Sequence, residues 1–166
     1  YGVLMSSMGV DLGIHKVTLS IADGENLIIA ETFNTPEGMT RGQELNWLTG
    51  WVKEFAQAYA VTHVWIEDTL VGNNRKYSLA LTEVLGAVES GLSELPVRVD
   101  RVNVGTWKKE VVGNGNANKD AVRLWVTEEF PVYAVTCGDD QDQFDAGCIA
   151  LYGERVLARA AGLTLA

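Results

Sequence analysis

MGVDLGIHKVTLSIADGENLIIAETF, residues 8–33, is the stretch on which the fold turns. Residues 8–13 and 16–22 (KVTLSIA) read as strands, and residues 26–33 (NLIIAETF) as a third. Asp23-Gly24 marks a hairpin between the second and third, because tight hairpin turns favour residues that tolerate positive φ. Outward from there, Thr35-Pro36-Glu37-Gly38 is a loop. The spacing of Leu45, Leu48, Trp51, Val52 and Phe55 then predicts a helix of about 20 residues. Residues 61–68 (VTHVWIED) return to strand, with Val64, Trp65 and Ile66 suited to burial on both faces. Residues 71–76 read as a polar loop, 77–91 as a helix, and 97–104 (VRVDRVNV) as an alternating strand. A short segment at 107–112, a glycine- and asparagine-rich loop (GNGNAN) and a helix from Lys119 come next. An acidic loop at 139–142 leads into a final helix ending near Ala161, with Gly162 as its stop. The order predicts an α/β fold: a mixed five-stranded sheet, three antiparallel strands then two parallel, with helices on both faces.

The chain has 166 residues, 13 basic against 22 acidic, for a formal charge of −9. Its length and 47% apolar content fit one folded domain, placed at residues 8–162, with residues 1–7 an untidy or disordered start. No run reaches the ~18 apolar residues of a membrane span, and the start lacks the positive charge of a secretory signal. Cys137 and Cys148 form no metal or disulfide pattern, so a reduced, cytoplasmic protein is expected.

Three groups of acids stand out. Asp11 lies between Val10 and Leu12 in an apolar strand, where desolvating a carboxylate is costly unless a cation or several donors meet it. Glu67 repeats this at the end of a second strand, and ligands of such sheets gather at strand ends. Either acid alone can simply reach water. Asp142 and Asp145, three apart at a helix start, share one face. Helix capping accounts for acids there without chemistry, and Asp139 and Asp140 fit that explanation better than Asp145 does. If Asp11, Glu67, Asp142 and Asp145 converge, their mutual repulsion calls for a cation. All-oxygen donors suit Mg²⁺ or Mn²⁺ rather than zinc.

GVDLG (9–13), IEDTL (66–70) and above all TWKKEVVGNGNANKDAV (106–122) followed by DQFDA (142–146) resemble the RuvC-type Holliday junction resolvases of the ribonuclease-H-like superfamily. The specific features are a lysine, a glycine-x-glycine-x-alanine-x-lysine turn, and two aspartates three apart followed by alanine. The resemblance implies a ribonuclease-H-like fold and a homodimer paired through the helix at 77–91, whose apolar positions exceed one buried face. It implies a Mg²⁺-dependent endonuclease acting on four-way or branched DNA, with two ions per subunit and Mn²⁺ able to substitute. Asp11, Glu67, Asp142 and Asp145 would be the metal ligands. Lys108 and Lys119 would stand at the scissile phosphate, with Lys109 the neighbouring alternative to Lys108.

Where the family tends to carry an aromatic wedge, this chain has Leu70, which can still unstack bases. Arg75, Lys76, Lys109, Asn114, Asn116 and Arg123 are further candidates for DNA contact. Related activities on pre-ribosomal RNA, flaps or forks, and a DNA-binding module without catalysis, are the alternatives.

Other motif readings fail. GNGNANK lacks the glycine before its lysine and the hydroxyl residue after it that a nucleotide-triphosphate loop needs, so no nucleotide cofactor is expected. The chain is too short for the paired domains of sugar kinases and actin-like ATPases. His15 reads as a solvated turn residue and His63 as having no chemical role. Trp47, Trp51 and Trp125 sit at core spacing, and Trp107 fits either core or a DNA-facing surface. Residues 96–125 carry six basic side chains against three acidic, a local +3 that leaves −12 elsewhere. The acidic total therefore does not exclude nucleic acid; it restricts where DNA can bind.

Overall fold

The computed structural model describes residues 6–68 and 73–163. Five strands, β1 (Ser6–Leu12), β2 (Lys16–Asp23), β3 (Asn26–Asn34), β4 (His63–Glu67) and β5 (Arg98–Val102), form one sheet in the order β3-β2-β1-β4-β5. β1, β2 and β3 pair antiparallel, whereas β4 and β5 join parallel to β1 and to each other, as expected. Pairing of Ser6 with Asp23 and Ser7 with Ala22 carries β1 two residues further back than its apolar run.

Period-two alternation divides the sheet into two faces. Met8, Val10 and Leu12 of β1, with Val17, Leu19 and Ile21 of β2 and Val64 and Ile66 of β4, face α1 (Arg41–Ala58) and α2 (Arg75–Leu92). The other face carries Ala22 and Trp65 and is covered by α6 (Gln141–Ala160) together with α3 (Val104–Trp107), α4 (Lys119–Glu129) and α5 (Pro131–Cys137). Two apolar layers thus sandwich the sheet. α1 starts at a complete capping box, in which the Thr40 hydroxyl accepts from the Gln43 amide and the Gln43 side chain accepts from Thr40 N.

Several boundaries differ from the sequence expectation, each for a local reason. Asn74 caps α2 by accepting from Tyr77 N at 3.1 Å, so Arg75 and Lys76 form the first helical turn rather than a loop. Asn103 likewise caps α3 and ends β5 at Val102. The segment after it is helical throughout, with α3 running into a single π turn, Lys108–Val112. Asp140 caps α6, so Asp142 lies in its first turn and not in an acidic loop. The short helix α5, opened by Pro131, has no counterpart in the sequence reading. α6 ends as expected, with Gly162 at φ 71°. Among the described residues, no helix is long and apolar enough to cross a membrane.

Candidate active site

The site begins with a glycine. A Cβ at Gly9 would lie 2.1 Å from the carbonyl oxygen of Ala146 and 2.5 Å from the amide nitrogen of Ala150. Only a glycine lets α6 lie this close to β1. Asp11 follows two residues later on the same face, directly beneath the first turns of α6, which carry Asp142 and Asp145. On the other flank, β1 and β4 are parallel with Val10 opposite Ile66. The next residues, Asp11 and Glu67, therefore end neighbouring strands on the α6 side of the sheet.

Carboxylate oxygens of Asp11, Asp142 and Asp145 lie within 4.8 Å of one another. Glu67 borders this trio, and its charge is the strongest of the three acidic neighbours acting on Asp11. Burial, followed by repulsion from Glu67, Asp142 and Asp145, pushes the Asp11 carboxyl well above the usual carboxylate range. Burial also raises Asp145, to about 6, against the hydrogen bond that Gln141 Nε2 donates to its Oδ1 at 3.1 Å. Glu67 is raised by burial too, while the indole N–H of Trp107 partly offsets this by donating to its Oε2 at 2.7 Å. Such a cluster is unfavourable without compensating positive charge.

Two lysines supply part of that charge. Lys16, the first residue of β2, forms an ion pair through Nζ with Oδ2 of Asp142. Lys108 sits 5.6 Å from the Trp107 ring centroid, and its charge favours ionised Glu67 and Asp145. All four donors of the cluster are oxygens, with no thiolate or imidazole among them. This set fits a hard divalent cation of the magnesium type.

The remaining candidates are found in different states. Lys119 is exposed at the first position of α4, where Asn118 caps the helix, and makes no ion pair among the described residues. Lys109 and Asn116 are exposed. Asn114 is committed to its own turn, its Oδ1 accepting from Asn116 N at 3.0 Å. Arg123 donates to Gly138 O and to Asp139 Oδ1, and packs 5.3 Å from the Phe144 ring centroid, so it braces α4 against the start of α6. Arg75 and Lys76 are exposed at the start of α2. Leu70 lies outside the described residues. His15 bonds Glu44 at 2.9 Å, and buried His63 bonds Asp100 at 2.8 Å, both away from the acids.

Three site residues went unrecognised in the sequence: Lys16, Gln141, and Trp107 as the Glu67 donor. Lys16 had a usable signal. Asp11 pairs with Thr18 across the hairpin, so Lys16 is its diagonal neighbour on the same face.

The chain is similar to known proteins over most of its length. The family model described as "Crossover junction endodeoxyribonuclease RuvC" matches residues 7–152. Among curated relatives, the protein of that name from Ehrlichia chaffeensis is 27% identical over 150 residues, covering 89% of this chain and 94% of its own. That from Acidiphilium cryptum is 29% identical over 139 residues, covering 81% and 83%. Among solved structures, Thermus thermophilus RuvC in complex with a Holliday junction substrate superposes with a TM-score of 0.80 at 21% identity, covering 95% of this chain and 96% of that one. Thermus thermophilus RuvC alone gives 0.76 at the same identity, with 95% and 97% covered.

Proposed function

The chain belongs to the RuvC family of crossover junction endodeoxyribonucleases, and we propose that it resolves four-way DNA junctions by metal-dependent hydrolysis of phosphodiester bonds. One observation carries this reading: three carboxylates from β1 and α6 within 4.8 Å of one another, with Glu67 beside them. Asp11, Glu67, Asp142 and Asp145 would hold two Mg²⁺ ions per subunit, with Mn²⁺ a functional substitute. Bound there, the ions supply Lewis-acid polarisation of the scissile phosphodiester and neutralise charge as it builds. The chain's own groups do the rest. Trp107 and Gln141 fix the orientation of Glu67 and Asp145. Lys108, whose charge acts on Glu67 and Asp145, would add a cation for the phosphate, and Lys119, exposed at the start of α4, would be a second. Cleavage leaves 5′-phosphate and 3′-hydroxyl ends.

DNA binding is assigned to the basic segment around β5, α3 and α4, with Lys109, Asn114 and Asn116 at the loop and Arg75 and Lys76 at the start of α2. Arg123 serves this surface indirectly, by bracing α4. Leu70 is assigned the wedge position that opens the junction. A cytoplasmic location rests on the two free, buried cysteines, Cys137 and Cys148. A symmetric junction calls for two sites, which a homodimer provides. In α2, Val84, Leu85 and Val88 are buried whereas Tyr77 and Leu79 are 50% and 57% exposed, leaving apolar surface for a second subunit. A monomer mass by light scattering at micromolar concentration would remove the dimer.

Asp11→Asn tests the enzyme reading: nicking of a synthetic four-way junction in Mg²⁺ should disappear while junction binding survives. Cleavage retained by that variant would refute it. Flap, fork and structured-RNA substrates run alongside report whether the preferred substrate is the junction.

A further inference from the structure

Lys16 is the one group among the described residues whose positive charge is paired directly with a carboxylate of the cluster. Its aliphatic stem reaches the acids past Gly13, where an added Cβ would lie 2.8 Å from the Lys16 Cγ. The hydrogen bond from Gly13 N to Lys16 O, at 2.8 Å, closes the turn that sets this path. The Lys16 side chain is 44% exposed and that of Asp142 26%, so the pair lies at the mouth of the site, open to solvent. Lys108, by contrast, rests against the Trp107 ring and reaches Glu67 and Asp145 only through its field.

We propose that Lys16 is a resident counter-ion of the carboxylate cluster, which a divalent cation must displace from Asp142 to bind. This rests on the metal-dependent reading above. An ammonium on Oδ2 of Asp142 occupies a lone-pair site that a metal ion would use, and its charge repels that ion from the whole cluster. In the metal-free protein the lysine limits repulsion among the acids. When a cation arrives, the ammonium leaves toward solvent at the mouth, where an incoming phosphodiester would meet it. The lysine thus tunes metal affinity rather than forming part of the metal's ligand set.

The test uses Mn²⁺ alone, without DNA, titrated into the full chain by calorimetry and by the paramagnetic relaxation of water protons. Exposed ion pairs are worth up to roughly 1 kcal/mol, so Lys16→Gln should tighten Mn²⁺ binding by about two- to fivefold. The gain should shrink as salt rises. Lys16→Arg keeps the charge and should keep the wild-type affinity, which guards against an effect of the missing lysine stem. Thermal unfolding in EDTA gives a second readout: Lys16→Gln should melt below the wild type, and saturating Mn²⁺ should close the gap. Equal or weaker Mn²⁺ binding by Lys16→Gln would overturn the counter-ion role alone. If neither protein binds Mn²⁺, the metal-dependent reading itself falls, and the counter-ion role with it.

Discussion

Replacing Gly9 with alanine tests whether the approach of α6 to β1 builds the site. The new methyl carbon would sit 2.1 Å from a backbone oxygen and 2.5 Å from a backbone nitrogen of α6, neither of which can rotate away. Relief to ordinary contact requires α6 to retreat by roughly 1 Å or more. Overpacking of this kind costs about 1–3 kcal/mol, and the upper end applies where backbone must move. For a chain of this size that corresponds to a fall in melting temperature of roughly 5–10 °C. The functional loss should be larger than the stability loss suggests. Asp142 and Asp145 ride on the displaced helix while Asp11 stays with the sheet, and misplacing catalytic groups by about 1 Å can cost roughly 100-fold in rate. Thermal unfolding in EDTA and single-turnover junction nicking in saturating Mg²⁺ measure the two effects. Gly42→Ala is the control, because a Cβ there meets nothing within 4 Å inside helix α1 and should be neutral or slightly stabilising. A Gly9→Ala protein that melts with the wild type and nicks at its rate would refute the claim that this contact positions the acids.

Other substitutions probe the surroundings of the acids. Trp107→Phe keeps a buried ring but removes the indole N–H from Glu67, and should lower stability by about 1–3 kcal/mol and weaken Mn²⁺ binding. Unchanged melting and Mn²⁺ titration curves would show that the hydrogen bond is dispensable. The pH dependence of stability follows from Asp145, whose carboxyl rises from 3.8 to about 6 on folding. A raised acid favours the folded state only while protonated, so its contribution is present below about pH 4 and lost as the pH climbs through 6. In EDTA, Asp145→Asn should therefore be more stable than the wild type at neutral pH, with the difference vanishing in acid. A difference independent of pH would contradict the burial of that carboxylate.

Much of the fold was legible because period-two strands, a hairpin turn and amphipathic helices are local signals. The acids were legible for the opposite reason, since Asp11 and Glu67 break the apolar pattern of their strands. What escaped depended on tertiary contact. The Trp107–Glu67 hydrogen bond spans 40 residues, and nothing local distinguishes a tryptophan that donates to a carboxylate from one that only packs. Lys16 reads as an ordinary polar strand start until the hairpin register sets it diagonal to Asp11. α5 spans only seven residues, too short for a period to show, and its Val132 and Val135 are both 81% exposed, which blurs any apolar stripe. The bonds from Arg123 to Gly138 and Asp139 span 15 and 16 residues, so its bracing role too depends on tertiary contact.

The order in which the acids occur along the chain has a consequence for synthesis. Asp11 and Glu67 are in place once the sheet is assembled, but Asp142 and Asp145 are carried by α6, which follows all five strands. A ribosome-bound chain that has completed all five strands still lacks half of the proposed ligand set, and the face that α6 covers remains open. Truncated or interrupted products would therefore be unable to cut DNA. The arrangement withholds nuclease competence until α6 has been made and has docked on the sheet.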